Sequence, residues 1–334
     1  MKYICPSWLS TFAIILTLTA CSDDAYSTLN DALVQSTVVQ SESATGTSKA
    51  LTEGGGWSSS DNQQVIKVVT TEYAIEAPDE MKMGWVQFEF TNKGDQVHFV
   101  AMYKLVDGKN IEDQKREVVP AFGTLMEGLR SGELRKKDIG SFLEKNIPEW
   151  GLKMTWVGGA GLLSPGRTTH ATFKLDEPGT YLLECYVKAP DGQWHTLMGM
   201  LKQVIVSNQI AQTREPSPDW EVTLTDSGLN APAKVKSGKH TIKVNFAAKA
   251  PGFMPYDINL AKLSPDTNLE KVFLWMDWTN IGGLRAPAPV EFLGGVEHMN
   301  AGKHGYIMVN LEAGRYLWVS EVNANNMYQE FMVE

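Results

Sequence analysis

Cysteine is the scarcest informative residue in this chain, with three among 334: Cys5, Cys21 and Cys185. A disulfide scaffold is therefore excluded, because such small frameworks are built on closely spaced pairs. Positive charge is also short. Thirty Lys and Arg face 39 Asp and Glu, a net charge of −9, which argues against nucleic acid and leaves room for a basic protein partner. Long apolar runs are missing apart from Trp8–Leu18 (WLSTFAIILTL), which is too short to span a bilayer as a stable helix. Six histidines and 14 methionines form no Met/His-rich tract.

The N-terminus combines Lys2, that apolar stretch, and Leu18-Thr19-Ala20-Cys21, the layout of an export signal. The four residues resemble the lipobox of bacterial lipoproteins. By that resemblance residues 1–20 are a signal peptide, Cys21 is the lipidated first residue, and lipid is the membrane anchor. The simpler reading is a secretory signal cut after Ala20, with Cys21 a free thiol. Ser22, where an aspartate would hold the protein at the inner membrane, implies an outer-membrane lipoprotein facing the periplasm. Losing residues 1–20 removes one lysine and brings the charge to −10. Residues 21–64 are Ser/Thr-rich with Gly54-Gly55-Gly56 near the end, and read as a linker with a reach on the order of 35 Å.

The remaining residues repeat themselves. Ala77-Pro78 and Gly84 precede the alternating WVQFEF; Ala231-Pro232 and Gly238 precede HTIKVNF. WVGGAGLLSPGRTTHATFKLDEPGTYLLE returns as FLGGVEHMNAGKHGYIMVNLEAGRYLWVS, matching the Gly-Gly pairs, Gly166 with Gly302, Leu175 with Leu311, and Gly179-x-Tyr181 with Gly314-x-Tyr316. Period-two alternation between Gly/Pro turns predicts short strands, hence an all-β chain of two tandem antiparallel β-sandwiches, 65–207 and 220–334, with a polar linker at 208–219. Residues 110–150 break the pattern, with apolar positions at helical spacing in FGTLMEGL and IGSFLEKNI; they predict a mainly helical insertion, with a shorter counterpart around NLEKVFLWM.

Cys185 is the one thiol left after processing, in a compartment where thiols usually pair. His98 follows the turn NKGDQV at the head of a strand. Cys185 ends the strand begun at Tyr181, the KAPDGQW loop folds back to His195, and Met200 precedes LKQVIV. Two imidazoles, a thiolate and a weak axial thioether are the donor set of blue copper. The order asparagine-turn-histidine, Gly-x-Tyr strand, cysteine, histidine, methionine resembles the cupredoxin family over residues 65–206. That resemblance implies a cupredoxin-like fold and one type 1 copper held by His98, Cys185 and His195 with Met200 on the axis; Met198 competes for the axial place. It also implies single-electron transfer with a redox protein partner. Copper nitrite reductases and multicopper oxidases put histidine beside the cysteine, whereas here Glu184 and Tyr186 stand there, so neither enzyme is expected. Copper capture or delivery, a metal-free interaction lipoprotein, and nucleophilic catalysis by Cys185 are the alternatives, and an immunoglobulin-type sandwich would want a second core cysteine. In the second copy Tyr256 stands at the His98 position and Ser320 at the Cys185 position, Met327 aligns with Met200, and no histidine returns. That copy is expected to hold no copper. His170, His240, His298 and His304 read as structural or surface residues.

Overall fold

The computed structural model describes residues 64–334; the signal segment, Cys21 and the linker up to residue 63 lie outside the described residues. The described residues all belong to one compact unit. The alternating segments are strands. Their apolar side chains meet in a continuous core that includes Phe88, Phe90, Phe173, Val204, Val244, Phe292 and Leu317. No helix among the described residues is long and apolar enough to cross a membrane.

The two copies share both of their sheets. In one sheet the first half contributes Gln64–Thr71, Glu80–Asn92 and Thr168–Leu175, and the second half Lys303–Leu311, Gly238–Phe246 and Trp220–Thr225. The other sheet runs through Leu201–Ile210, Gly179–Glu184, His98–Lys104 and Thr155–Leu163 into Glu291–Val296, Ile258–Leu263, Gly314–Val319 and Tyr328–Val333. The halves meet through equivalent strands running antiparallel. Ala171 faces Ile307 and Ala160 faces Val296, and each of these pairs is a position matched with its own repeat. The mates flank them symmetrically: His170 opposes Met308 as Tyr306 opposes Thr172, and Val157 opposes Met299 as Leu293 opposes Leu163. The duplication is thus joined edge to edge about a local two-fold axis, which removes two exposed strand edges from each half.

The repeated glycines are explained by this geometry. Glu80–Asn92 pairs with Leu201–Ile210 through Met83, then with Thr168–Leu175 from Gly84 onward. Gly84 sits at φ +105° where the chain changes sheets, and Gly238 at φ +123° does the same. Within the Gly-Gly pairs, a Cβ on Gly159 would lie 2.0 Å from the Val100 carbonyl oxygen, and one on Gly295 2.0 Å from that of Ile258. Only glycine permits such close approach. Among the described strands four parallel pairings join the antiparallel majority, Gln64–Thr71 with Glu80–Asn92 being one. The strand Leu201–Ile210 also runs three residues into the expected linker, because Ser207 and Ile210 pair with Lys82 and Met83.

The insertion is helical, as the spacing predicts: a short α-turn Ile111–Asp113 running into a π-helical turn Gln114–Val118, then helices Val119–Ser131 and Ile139–Asn146. Asn110 caps its start by accepting from the amides of Glu112 and Asp113. It packs flat on the second sheet, where Val119 meets Tyr103, Leu105, Leu182 and Leu201. The strand His98–Lys104 is therefore buried on both faces up to Tyr103, rather than on alternate ones. The second copy keeps only Leu269–Met276.

Candidate metal centre

The turn before His98 is fixed by its own side chains. Asn92 accepts the Gly94 amide through Oδ1 (2.9 Å) and donates through Nδ2 to the carbonyls of Gln96 and Leu163 (2.8 Å each). Glu72 accepts the amides of Asp95 and Gln96 through Oε1. A Cβ on Gly94 would stand 2.8 Å from His98 Nε2, so the turn presses directly on the imidazole. His98 opens its strand at the pole of the sandwich.

Cys185 follows the last residue of Gly179–Glu184. Its amide donates to the Met200 carbonyl (3.2 Å). Between them the loop turns through Pro190-Asp191-Gly192, closed by Gly192 N–H to Ala189 O (2.7 Å) and Gln193 N–H to Asp191 Oδ1 (2.9 Å). The His195 amide then donates to Val187 O (2.8 Å), and Met200 donates back to His195 O (2.9 Å). Arg130 from the insertion holds Gly192 O, and Arg285 from the second half holds Pro190 O. Lys188 lies beside Leu284 and Ala286 through two backbone bonds. The loop is clamped from three sides.

These elements bring the sulfur and both rings together. Cys185 Sγ lies 3.7 Å from His98 Nδ1 and 3.8 Å from His195 Nδ1, and one ligand atom from each of the three residues falls within 4.8 Å of the others. A metal bonded at about 2.3 Å to sulfur and about 2.0–2.1 Å to nitrogen, with trigonal angles, needs a sulfur–nitrogen separation of roughly 3.8 Å. The donor spacing fits. Both rings and the thiol are fully buried. His195 Nε2 donates to Gln96 Oε1 (3.1 Å), which leaves Nδ1 as the lone-pair nitrogen facing the sulfur. His98 Nε2 has no hydrogen-bond partner and points toward Glu72, 3.9 Å away. Tyr73 closes over the His195 ring edge-on at 5.2 Å. Met200 is fully buried within this hydrogen-bonded turn, and Met198 is half-exposed.

Burial sets the protonation of the donors. It lowers His98 to about 4; it lowers His195 to about 3, helped by repulsion from His98. The Cys185 thiol is pushed up to about 12 by burial, against the opposing backbone amides of Phe99 and Val187. At neutral pH the metal-free pole thus carries two neutral imidazoles and one thiol, and its burial favours an ion that satisfies soft and nitrogen donors together.

The second copy shows what the same pole becomes without these side chains. Val100 pairs with Ala160 as Ile258 pairs with Val296, which sets Tyr256 at the His98 position. Ser320 donates its amide to Met327 O (3.0 Å), as Cys185 does to Met200. There Asp257 accepts from Ser320 Oγ (2.7 Å), the Glu321 amide (2.8 Å) and Asn259 Nδ2 (2.5 Å). A polar network occupies the place of the donor set.

Sequence reasoning missed Gln96, Glu72 and Tyr73, which support the rings only through the folded turn. It also missed Tyr186. This residue bonds His298 Nε2 (2.5 Å) and donates to Glu321 Oε2 (3.2 Å), tying the cysteine strand to the second half. His298 is fully buried and bonds Pro255 O through Nδ1; the other three histidines outside the centre are paired, His304 with Glu215, His170 with Glu89, and His240 with Lys236 O.

No protein-family model and no curated protein match the chain. Among solved structures it is similar to a reduced auracyanin from Roseiflexus castenholzii (20% identity over 44% of this chain and 98% of that one, TM-score 0.24). It is likewise similar to auracyanin A, a blue copper protein from Chloroflexus aurantiacus (19%, 43% and 98%, TM-score 0.25), and to a multicopper oxidase (15%, 81% and 88%, TM-score 0.21). With its own strands and a His98, Cys185, His195 group buried at one pole, the chain is all-β and brings together three of the four donors that the cupredoxin resemblance implies.

Proposed function

We propose that this chain holds one copper ion as a type 1 centre and uses it for single-electron transfer. His98 Nδ1, His195 Nδ1 and Cys185 Sγ would hold the ion, and Met200 would offer it a weak thioether. The observation that carries this reading is the 3.7 and 3.8 Å spacing of both Nδ1 atoms from one buried sulfur. Copper there supplies a one-electron couple, with thiolate suiting Cu(I) and imidazole suiting Cu(II).

Transfer is favoured over capture and delivery because all three donors are fully buried and their loop is clamped by Arg130, Arg285 and Lys188. A site that hands over its ion needs an open ligand. A non-enzymatic role is favoured because Glu184 and Tyr186 flank Cys185, and no other group of three His, Cys, Asp or Glu ligand atoms gathers among the described residues. The second half serves as a packing partner: it contributes the other half of both sheets and the Tyr186 and Lys188 contacts. The export signal and Cys21 support a lipid-anchored protein of the bacterial cell envelope, facing the periplasm, with a redox protein as partner.

The test is addition of Cu(II) to the purified chain. An intense thiolate-to-copper absorption in the visible, at one ion per chain and lost in Cys185→Ser, is the expected result. A colourless wild-type protein that binds no copper returns the chain to the metal-free interaction reading.

A further inference from the structure

A cavity of about 90 Å³ lies between the helical insertion and the copper loop, several times the roughly 10–15 Å³ that holds one water. Its wall includes Phe122, Trp156, Tyr186, Trp194 and Trp278, with Gln114, Glu184 and Thr196 among its polar members. Leu152, Leu197 and Phe253, each 43–49% exposed, form an apolar rim.

Three observations define the chemistry of an occupant. First, the aromatic wall suits one planar ring. Second, two wall side chains carry unpaired polar atoms although each residue is only 3% exposed: Gln114 Oε1, an acceptor, and Trp194 Nε1, a donor. Buried polar groups are normally satisfied, so an occupant that both donates and accepts a hydrogen bond completes the wall. Third, charge is unwelcome. Among the described residues no cationic side chain lines the cavity, and Glu184 keeps its carboxylate engaged by Tyr103 (2.6 Å) and Thr196 (2.8 Å), which disfavours anions. Lys188 Nζ already stands 4.5 Å from the Trp194 ring centre, which disfavours a second cation on that aromatic face.

We infer that this cavity is a binding site for a neutral, single-ring aromatic alcohol, a phenol or quinol. Its hydroxyl donates to Gln114 and an oxygen accepts from Trp194. The inference goes beyond copper binding and stands without it. Tyr186 and Glu184 flank Cys185, and Trp194 and Thr196 flank His195, so an occupant lies one residue from two of the metal donors.

The experiment titrates the metal-free full chain anaerobically with hydroquinone, following tryptophan fluorescence and calorimetric heat, with benzoate and tetramethylammonium as charged controls. Saturable one-to-one binding of hydroquinone, at least about tenfold tighter than either control, is expected. Gln114→Met should weaken it about fivefold, the worth of one hydrogen bond, and Leu197→Trp, a rim change that leaves the core untouched, should abolish it by filling the mouth. Absence of saturable binding, unchanged affinity in Leu197→Trp, or preference for tetramethylammonium would overturn the assignment, the last in favour of a cation cage. In copper-loaded protein the occupant should also shift the visible band; fluorescence decides the question even if no copper binds.

Discussion

Loading the metal should expel one proton, and the number follows from the burial of the three donors. The Cys185 thiol, pushed up to about 12, keeps its proton at neutral pH, while His98 and His195, held near 4 and 3, have none to lose from Nδ1. Metal ligation requires a thiolate and free imidazole nitrogens. Between about pH 5 and 11, therefore, each ion bound displaces one proton, and the apparent affinity rises tenfold per pH unit, or about 1.4 kcal/mol. Below about pH 4 the imidazoles also bind protons, and the count climbs toward three. Calorimetric titration at pH 7 in buffers of different ionisation heat reads the count directly as the slope of observed heat against buffer heat. Cys185→Ser should reduce it to zero. No release from the wild type would mean the sulfur is already a thiolate, and two or more would mean the imidazoles are protonated; either result refutes the electrostatic account of the pole.

Three further expectations concern the same architecture. Unfolded imidazoles bind protons below about pH 6.5 but the buried ones do not until about 4 and 3, so the unfolded state binds more protons and metal-free stability must fall with pH across that window. The loss is on the order of 3–5 kcal/mol per histidine by about pH 3, and denaturant titrations at pH 7 and pH 4 should show it; equal midpoints would contradict it. Gly159→Ala would drive a methyl onto the Val100 carbonyl and should cost more than about 2 kcal/mol in a thermal melt, whereas Gly108→Ala, with nothing within 4 Å, should cost about 1 kcal/mol or less despite its positive φ. Met200→Leu should keep the fold but shift the copper spectrum and potential. Met198→Leu should leave both unchanged, and the reverse pattern would make Met198 the axial group.

What the sequence revealed and what it hid follow from contact range. His98, Cys185 and His195 were legible because each is delivered by a local device: the Asn92 turn, the strand ending before Cys185, and the Pro190-Asp191-Gly192 reversal. The loss of the set at Tyr256 and Ser320 was legible for the same reason, since strand register carries the repeat. The fusion of the two halves was not. It depends on pairing residues 136 apart, such as Ala171 with Ile307, and both edges look like ordinary half-buried strands. Nor did the strand His98–Lys104 announce itself as buried on both faces, because the covering comes from the distant Val119–Ser131 helix. Gln96 and Tyr186 looked like turn and strand filler; only folding sets one against His195 and the other against His298.

On the proposed reading one soft ion is grasped by Nδ1 of His98, Nδ1 of His195 and the sulfur of Cys185. Crystals of the copper-loaded protein, measured on both sides of the copper absorption edge, test it most directly. A single anomalous peak about 2.0–2.3 Å from all three atoms is expected. A peak held through Nε2, a peak elsewhere, or none at all would contradict it.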